Sequence, residues 1–469
     1  MTSTLIAPGT AIGKPAHRDP NVLRWLAAYT SSMVGDSVYY IALSWAAVQQ
    51  GSPAQAGAVM AVSAVPRALL MLGGGVIADR FGPRRVVIGS DLVRCAAGLS
   101  VAALLFLTSP GLWPLALLAV VFGTVDAVFM PAVGALPARV TTRDQLARVQ
   151  GMRGLAIRFA SVVGGPLGGL AVAIGGAAAA FGLAGLLIAV SVPLLISVRM
   201  REPAVDDKAE AGGGSADADD ASDAGAGAGE GAGGRGAAPG AAVLGAPDSE
   251  ARGATATAAD KAPARATTPL GDLQAGLRYI RAHRVLAPLM LAIALGDLGF
   301  VGPLNVGLTL LADERGWGAS GMGWVLSGFG VGAGAAALLL TVRGRLPHAG
   351  HVAGWAILAG SVAIGALAFV PGVLAAVGVA LLVGLLAGLS GALCGALLQT
   401  QADPAYLGRV TAVSSLVSLG FAPLSMPLSA AAIGAWGTGP VFVGSAAVCG
   451  LGGVVALCVR DLRRAELPG

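Results

Sequence analysis

Charged residues are scarce in this sequence, and their scarcity argues against a soluble protein. Asp, Glu, Lys and Arg together make up 12% of the 469 residues, and aromatic residues only 5%. Soluble domains usually carry about a quarter charged residues. What dominates is apolar: 55% of the residues are hydrophobic, 72 are glycine, and the mean hydropathy is +0.76. The composition predicts a polytopic membrane protein whose helices pack closely through small residues.

Cysteine and histidine are also sparse, and their placement argues against metal or redox chemistry. The four cysteines, Cys95, Cys394, Cys449 and Cys458, lie in apolar runs without zinc or redox spacing. No lysine follows a glycine-rich loop in the pattern of an ATP-binding pump. We therefore expect no metal site, no cofactor and no enzymatic activity. The basic residues that give a pI of about 9.3 are scattered at segment ends, so we expect no nucleic-acid partner.

Twelve apolar segments are long enough to cross a bilayer, which takes about 20 residues. Turn residues separate several of them, for example Gly175-Gly176 and Pro371-Gly372. The predicted spans, numbered 1 to 12, cover residues 22–48, 54–79, 86–108, 113–134, 149–174, 177–198, 286–311, 319–342, 351–370, 373–400, 409–434 and 437–459. They predict an all-α integral membrane protein with 12 transmembrane helices in two six-helix bundles.

Basic residues collect in alternate loops, which predicts the orientation. Arg80, Arg84 and Arg85 follow span 2, and the loops after spans 4, 6, 8 and 10 are basic as well. Because cytoplasmic loops carry the excess of Lys and Arg, we expect both termini in the cytoplasm and the protein in the cell membrane.

A long Ala/Gly/Asp-rich interruption divides the spans six and six. A segment of this composition cannot bury enough apolar surface to offset the conformational entropy lost on ordering, so we predict that it is disordered. After it we predict an amphipathic helix on the membrane surface. The predicted domains are a tail at 1–21, a first bundle at 22–201, the linker at 202–268, the amphipathic helix at 269–284, a second bundle at 285–460 and a tail at 461–469.

The two halves repeat each other. Gly35-Asp36 in span 1 corresponds to Gly296-Asp297 in span 7, and Leu-Ala-Arg-Val before span 5 corresponds to Leu-Gly-Arg-Val before span 11. Two six-helix units in parallel repeat are typical of a transporter that alternates around a midplane site.

Ionisable residues inside the spans are costly and therefore usually have partners or a function. Asp36 belongs to a polar stripe at helical spacing, and a carboxylate that moves between water and dry surroundings suits a proton carrier. The candidates for proton coupling or for the cavity are Asp36, Asp126 and Asp297. Arg67, Asp91, Arg94 and Arg158 are predicted to form intramembrane ion pairs. Arg67 or Arg158 would tune Asp36; a purely structural set of ion pairs is the alternative.

Span 5 contains a closely spaced glycine and proline segment. Gly154, Arg158, Ser161 and Gly165 share one helix face, so a neighbouring helix can approach its backbone. Pro166 removes the hydrogen bond to the Val162 carbonyl and should kink the helix. A hinge and simple packing are both consistent with this pattern.

The stretch GVIADRFGPRR between spans 2 and 3 resembles motif A of the major facilitator superfamily. The matching residues are Gly75, Asp79, Arg80, Gly82, Arg84 and Arg85. The resemblance implies that Asp79 meets the N-terminal end of span 11 and that the basic residues steady the outward-open state.

The stretch LRWLAAYTSSMVGDSVYYIALSW is similar to the branch with enterobactin exporters and macrolide-efflux permeases. In span 5, Gly165, Pro166, Gly168 and Gly169 resemble motif C of antiporters, with one residue fewer between the proline and the glycine pair. The resemblance implies a cavity lined by spans 1, 4, 7 and 10, with Tyr39, Tyr40 and Phe300 as aromatic contacts.

Together these features predict a monomeric efflux transporter that exchanges protons for an amphipathic drug, antibiotic or siderophore across the bilayer. A proton symporter that imports a nutrient is the first alternative. A membrane sensor or scaffold that signals through the linker is the second.

Overall fold

The computed structural model describes residues 16–108, 111–142, 145–200, 269–343, 348–404 and 406–466. These residues form helices and connecting turns, and no strand occurs among them. The α-helices are α1 (Pro20–Gln50), α2 (Pro53–Phe81), α3 (Pro83–Leu107), α4 (Trp113–Val140), α5 (Leu146–Ser197), α6 (Pro269–Ala282), α7 (Leu286–Gly302), α8 (Leu308–Glu314), α9 (Gly318–Arg343), α10 (Ala349–Ala366), α11 (Val373–Gln401), α12 (Leu407–Trp436), α13 (Thr438–Cys458) and α14 (Arg460–Arg463). The described residues belong to one compact unit; the predicted linker, 202–268, lies outside them.

The first two helices begin at capping residues that the sequence supplies. The Asp19 carboxylate accepts the backbone N–H of Asn21 at 2.8 Å, and Pro20 occupies the first turn. Ser52 and Gln55 form a reciprocal capping box at the start of α2. Such residues satisfy N–H groups that a helix start otherwise leaves unpaired, so these boundaries follow from local sequence.

Nine helices among the described residues are long and apolar enough to cross a membrane. One of them, α5, is 52 residues long, about 78 Å at 1.5 Å per residue. Its backbone leaves helical geometry at Gly175 and Gly176, where Gly176 has a φ of 67°. Because the hydrocarbon core is only about 30 Å thick, this bend makes α5 two crossings, predicted spans 5 and 6. The helices α1 and α2 match spans 1 and 2 by length and place in the chain.

Span 7 is built from three helical pieces in direct succession. Between α7 and α8, residues Pro303–Gly307 form a single turn of π-helix. Pro303 has no N–H to donate, and π turns of this kind often occur at functional sites. The interruption leaves the Asn305 side chain exposed.

The predicted amphipathic helix corresponds to α6, which packs on the start of α12. The Tyr279 ring stacks on Tyr406 at 4.5 Å between centroids. Ile280 is buried, whereas Leu277 is exposed; the Leu270 and Leu273 side chains lie outside the described residues.

Two ends of the bundle are distinguished by charge. We call the end where Arg80, Arg84, Arg85 and Arg139 surround one depression the basic end, and the other the far end. At the far end, Gln49 of α1 donates a hydrogen bond to Asp313 of α8 at 2.7 Å. This bond joins the N-terminal half (α1–α5) to the C-terminal half (α6–α14).

Candidate functional site

A cavity of 240 Å³ lies between the two halves. It mixes hydroxyl and amide groups with thioether, aliphatic and aromatic side chains, and such a lining suits an amphipathic molecule. Its walls are Ser37, Tyr40, Ile41, Ser44, Met60, Ser161, Gly165, Leu304, Asn305, Leu308, Met322, Leu326 and Phe329. The cavity therefore draws on spans 1, 2, 5, 7 and 8, which overlaps only in part with the lining from spans 1, 4, 7 and 10 that the resemblance implies.

Glycines of α5 and α9 bring the halves into backbone contact beside this cavity. A methyl group on Gly165 would lie 2.5 Å from the Gly323 carbonyl oxygen, and one on Gly169 would lie 2.5 Å from the Ala319 carbonyl oxygen. No side chain fits between these backbones. The contact covers the part of α5 toward the far end, while Gly168 packs against Ile41 of α1 within the N-terminal half.

Pro166 adds a polar link to the same contact. Its missing N–H frees the Val162 carbonyl, and the Ser327 hydroxyl of α9 donates to that carbonyl at 2.6 Å. The helix continues through Pro166, and non-helical backbone within α5 occurs only at Gly175 and Gly176. Pro166 therefore does not interrupt the helix, and the Val162 carbonyl that it frees accepts a hydrogen bond from the other half. The kink at Pro166 stays a prediction.

Arg94 lies at the centre of the buried charges, among three carboxylates. Its Nη1 contacts Asp36 at 2.7 Å and Asp126 at 3.4 Å, and its Nη2 forms an ion pair with Asp91. The guanidinium also lies 4.0 Å from the centre of the Phe129 ring. The Arg94 side chain is 0% exposed. We call Arg94, Asp36, Asp91 and Asp126 the Arg94 cluster.

Two serines donate hydrogen bonds to Asp91 of the Arg94 cluster. Ser32 donates to Asp91 at 3.1 Å, and Ser191 donates to the other oxygen of Asp91. Asp91 therefore has three donors and is only 1% exposed, whereas the Asp36 side chain is 14% exposed. Asp36 is the carboxylate of the cluster that is most open to water.

The remaining predicted bases differ from each other. Arg67 lies 4.0 Å from Asp126 and extends the cluster. Arg158 is exposed and forms no ion pair with any described residue. The structure thus does not bring Arg158 into the ion-pair set; the residue lies on the face of α5 that also carries Ser161 and Gly165, which line the central cavity. Arg94, not Arg158, directly contacts Asp36.

Asp297 lies apart from the Arg94 cluster, inside the C-terminal half. The Ser418 hydroxyl donates to its Oδ2 at 2.6 Å. It lines a second cavity of 180 Å³ together with Phe300. The three predicted aromatic contacts therefore separate: Tyr40 lines the central cavity, Phe300 lines the second, and Tyr39 is buried against Phe122 at 3.6 Å between ring centroids.

The motif A turn ties the N-terminal half together at the basic end. Arg84 donates from Nε to the Leu195 carbonyl at 3.3 Å and from Nη2 to the Ile196 carbonyl. These carbonyls close α5, where a cation is favourable to the helix dipole. Arg80 and Arg85 are exposed. The backbone of Gly75 and Asp79 is helical, but the Asp79 side chain lies outside the described residues, so its contact with span 11 stays a prediction.

Gly82 forms the corner of this turn with a φ of 82° and a ψ of 133°. That conformation is essentially restricted to glycine. We expect Gly82→Ala to lower the free energy of unfolding by about 1–3 kcal/mol because a Cβ strains this backbone. Thermal unfolding of the purified protein measures it. Gly89→Ala in α3, where an added methyl meets no atom within 4 Å, is the matched control, and equal melting temperatures for the two variants would contradict the argument.

Several residues of the site escape sequence reasoning. Ser191 and Ser327 carry no signal because hydroxyls are common in membrane helices, whereas Ser32 belongs to the polar stripe of Asp36 without an indication of its bond to Asp91. Asn305 is different: it directly follows a Pro-Leu pair in an otherwise apolar span, and an amide at that depth could have been noticed.

Three solved structures resemble this one at low sequence identity. The nucleoside transporter NupG superposes with a TM-score of 0.63 at 12% identity, covering 94% of this chain and 100% of that chain. A POT-family transporter in complex with 5-aminolevulinic acid gives 0.63 at 11%, covering 97% and 98%. A bacterial homologue of the human lysosomal transporter Spinster, inward-facing and unoccupied, gives 0.59 at 14%, covering 96% and 97%. At such low identity these similarities support the shared fold and nothing about function.

At the sequence level, no curated protein matches this chain. The family described as the Major Facilitator Superfamily matches residues 25–418, across both halves. With its multi-pass helical fold and a cavity between two halves, the chain belongs to the Major Facilitator Superfamily of membrane transporters.

Proposed function

We propose that this transporter exports an amphipathic small molecule from the cell in exchange for protons. The observation that carries the proposal is the central cavity between the halves, walled by both polar and apolar side chains and bordered by the glycine contacts of α5 and α9. A drug, an antibiotic or a siderophore has the amphipathic chemistry that such walls can bind. The similarity of span 1 to exporter sequences supports this direction of transport.

Orientation supports loading from inside the cell. The positive-inside rule assigns the basic end, with Arg80, Arg84 and Arg85, to the cytoplasm. The contacts between Gly165 and Gly323 and between Gln49 and Asp313 lie toward the far end. Under this assignment the halves meet on the outer side in this conformation, as an exporter requires when it takes up its substrate. The transporter would act as a monomer in the cell membrane with both termini inside.

We assign the coupling proton to the Arg94 cluster. Three carboxylates face two guanidiniums, those of Arg94 and Arg67. One proton balances the combined charge of the Arg94 cluster and Arg67, and buried unbalanced charge is costly. Asp36 is the natural carrier because it is the most exposed carboxylate and its neighbour Ser37 lines the central cavity. Arg94 would hold Asp36 when the carboxylate is ionised.

We expect Asp36→Asn to reduce proton-driven transport by about tenfold or more, equivalent to roughly 1.4 kcal/mol. Substrate exchange without a proton gradient should persist, because asparagine keeps the cavity and its shape. Proteoliposomes assayed with and without an imposed pH gradient measure both activities. Asp461→Asn, an exposed carboxylate outside the spans, is the control. Full proton-driven transport by Asp36→Asn would show that the carrier lies elsewhere.

A susceptibility panel tests the export of amphipathic molecules. A pump-deficient host that expresses the protein should tolerate some drugs, antibiotics or siderophores better than the empty host, and an uncoupler should remove that tolerance. Increased sensitivity with uptake of a nutrient would instead support a symporter.

Deletion of residues 205–265 should leave transport intact, whereas a sensor that signals through the linker would lose its output.

A further inference from the structure

The second cavity, which we call the C-half pocket, lies within the C-terminal half and is almost entirely apolar. Its 180 Å³ lie among α7, α10, α11 and α13. Among its lining residues, Asp297 is the single carboxylate, and the polar side chains beside it are Ser390 and the thiols Cys394 and Cys449. A carboxylate in such surroundings needs a partner.

The C-half pocket occupies the place that the Arg94 cluster occupies in the other half. The sequence repeat equates Asp36 of α1 with Asp297 of α7. The helices around Asp36 are α3, α4 and the second limb of α5, which supply Arg94, Asp126 and Ser191. Their counterparts in chain order are α10, α11 and α13, the helices that wall the pocket around Asp297. The two sites are therefore related by the internal repeat.

The polar partners of the first site are replaced by apolar residues in the second. Ser32 lies four residues before Asp36, and Ile293 lies four residues before Asp297. Asp91 is the ninth residue of α3, and the ninth residue of α10 is Ile357. Both isoleucines line the C-half pocket.

The same numbering of helix positions gives α10 no cation at the position of Arg94. The position of Arg94 in α3 corresponds to Gly360 in α10, and Gly360 lines the pocket. The C-terminal half has thus kept the carboxylate and has an open volume where the N-terminal half has a guanidinium.

Asp297 retains capacity for a cationic partner. It accepts one hydrogen bond, from Ser418, and forms no ion pair among the residues the structure describes. A metal ion would need several oxygen ligands, which these apolar walls do not supply. An organic cation needs fewer oxygen ligands. The Phe300 ring can contact its charged group, and the aliphatic walls can contact its carbon atoms.

We propose that the C-half pocket binds an ammonium or guanidinium group. The bound group takes the place that the Arg94 guanidinium has in the other half, and Asp297 is its counter-ion. The inference rests on the proposed function in one respect, namely that this group belongs to the transported molecule. Substrates would then be amphipathic cations, whose charged group enters the C-half pocket.

Binding of n-pentylguanidinium and of its neutral isostere n-pentylurea to the purified full-length protein tests the pocket directly. We expect the guanidinium to bind at least about tenfold more tightly, roughly 1.4 kcal/mol, and to slow alkylation of Cys394 and Cys449, which line the pocket. Asp297→Asn should abolish the preference. Equal binding of the two probes, or a preference that survives in Asp297→Asn, would overturn the proposal.

Gly360→Arg is a second, independent variant. It supplies a tethered guanidinium from the position equivalent to Arg94, and a Cβ at Gly360 meets only Leu386 at 3.5 Å. We expect this variant to stop n-pentylguanidinium binding, and undiminished binding by the folded variant would contradict the proposal. If Gly360→Arg does not fold, the Asp297→Asn result still decides. If the unmodified protein shows no preference for the guanidinium but still exports, the pocket proposal alone is rejected. If the unmodified protein shows the preference but does not export, the proposed function alone is rejected.

Discussion

Replacement of Arg94 by methionine is expected to remove most folded protein and all transport. The substitution keeps much of the side-chain volume but leaves Asp36, Asp91 and Asp126 without the guanidinium they share. Removing one partner of a buried ion pair typically costs about 3–5 kcal/mol, and here a single cation faces three carboxylates. Thermal unfolding and the yield of monodisperse protein measure the effect.

Two comparisons make the Arg94 result specific. Arg158→Met removes an exposed arginine without an ion pair among the described residues, and it should leave the melting temperature nearly unchanged. Adding Asp91→Asn to Arg94→Met removes one uncompensated charge and should recover part of the lost stability. Wild-type stability of Arg94→Met, or an equal loss in Arg158→Met, would contradict the central place of Arg94.

Gly165→Ala is expected to reduce transport by about tenfold, because the added methyl group cannot fit between the halves. It would lie 2.5 Å from the Gly323 carbonyl oxygen and 2.8 Å from the Ser327 hydroxyl. Overpacking of this kind costs about 1–3 kcal/mol, and only the conformation in which α5 meets α9 bears that cost. The variant should therefore favour the opposite conformation and turn over slowly. Initial rates of substrate transport in proteoliposomes measure the effect.

Gly154→Ala provides a matched control on the same helix. A methyl group at Gly154 meets no atom within 4 Å, and alanine is the better helix former by about 1 kcal/mol. This variant should transport normally and unfold at the same or a slightly higher temperature. If both variants transport alike, close contact at Gly165 has no part in the cycle.

The helical architecture was predictable because its signals are local. Apolar length, the caps at Asp19 and Ser52, and the glycine pair that bends α5 each act within a few residues of chain. The all-α fold is confirmed by these elements and by the family match. The freed Val162 carbonyl could also be read from the position of Pro166, although its partner on α9 could not.

The partners of the buried charges were less accessible to sequence reasoning. Spacing along a helix gives depth in the membrane, but pairing depends also on how each helix is rotated about its axis. Arg94 and Arg158 are both arginines inside predicted spans of the same half, yet Arg94 is fully buried among carboxylates and Arg158 is exposed. The neighbours Tyr39 and Tyr40 diverge for the same reason, since consecutive helical residues lie about 100° apart.

The C-half pocket shows what a repeat in sequence can hide. The repeated Gly-Asp pair places Asp36 and Asp297 in equivalent spans, although the sequence of the second half has no other acidic or basic residue at a depth comparable to that of Asp297. The packing identifies Arg94 as the arginine that contacts Asp36 and shows that Asp297 faces an open volume. The halves have the same helices but different electrostatics.

Simultaneous measurement of proton and substrate fluxes in proteoliposomes tests the central claim most directly. A substrate taken from the susceptibility panel is loaded on one side, and an internal pH indicator reports proton movement while the substrate is counted. Antiport predicts that protons and substrate move in opposite directions, and that Asp36→Asn removes the proton movement. Protons that move in the same direction as the substrate, or substrate movement without any proton flux in the unmodified protein, would contradict it.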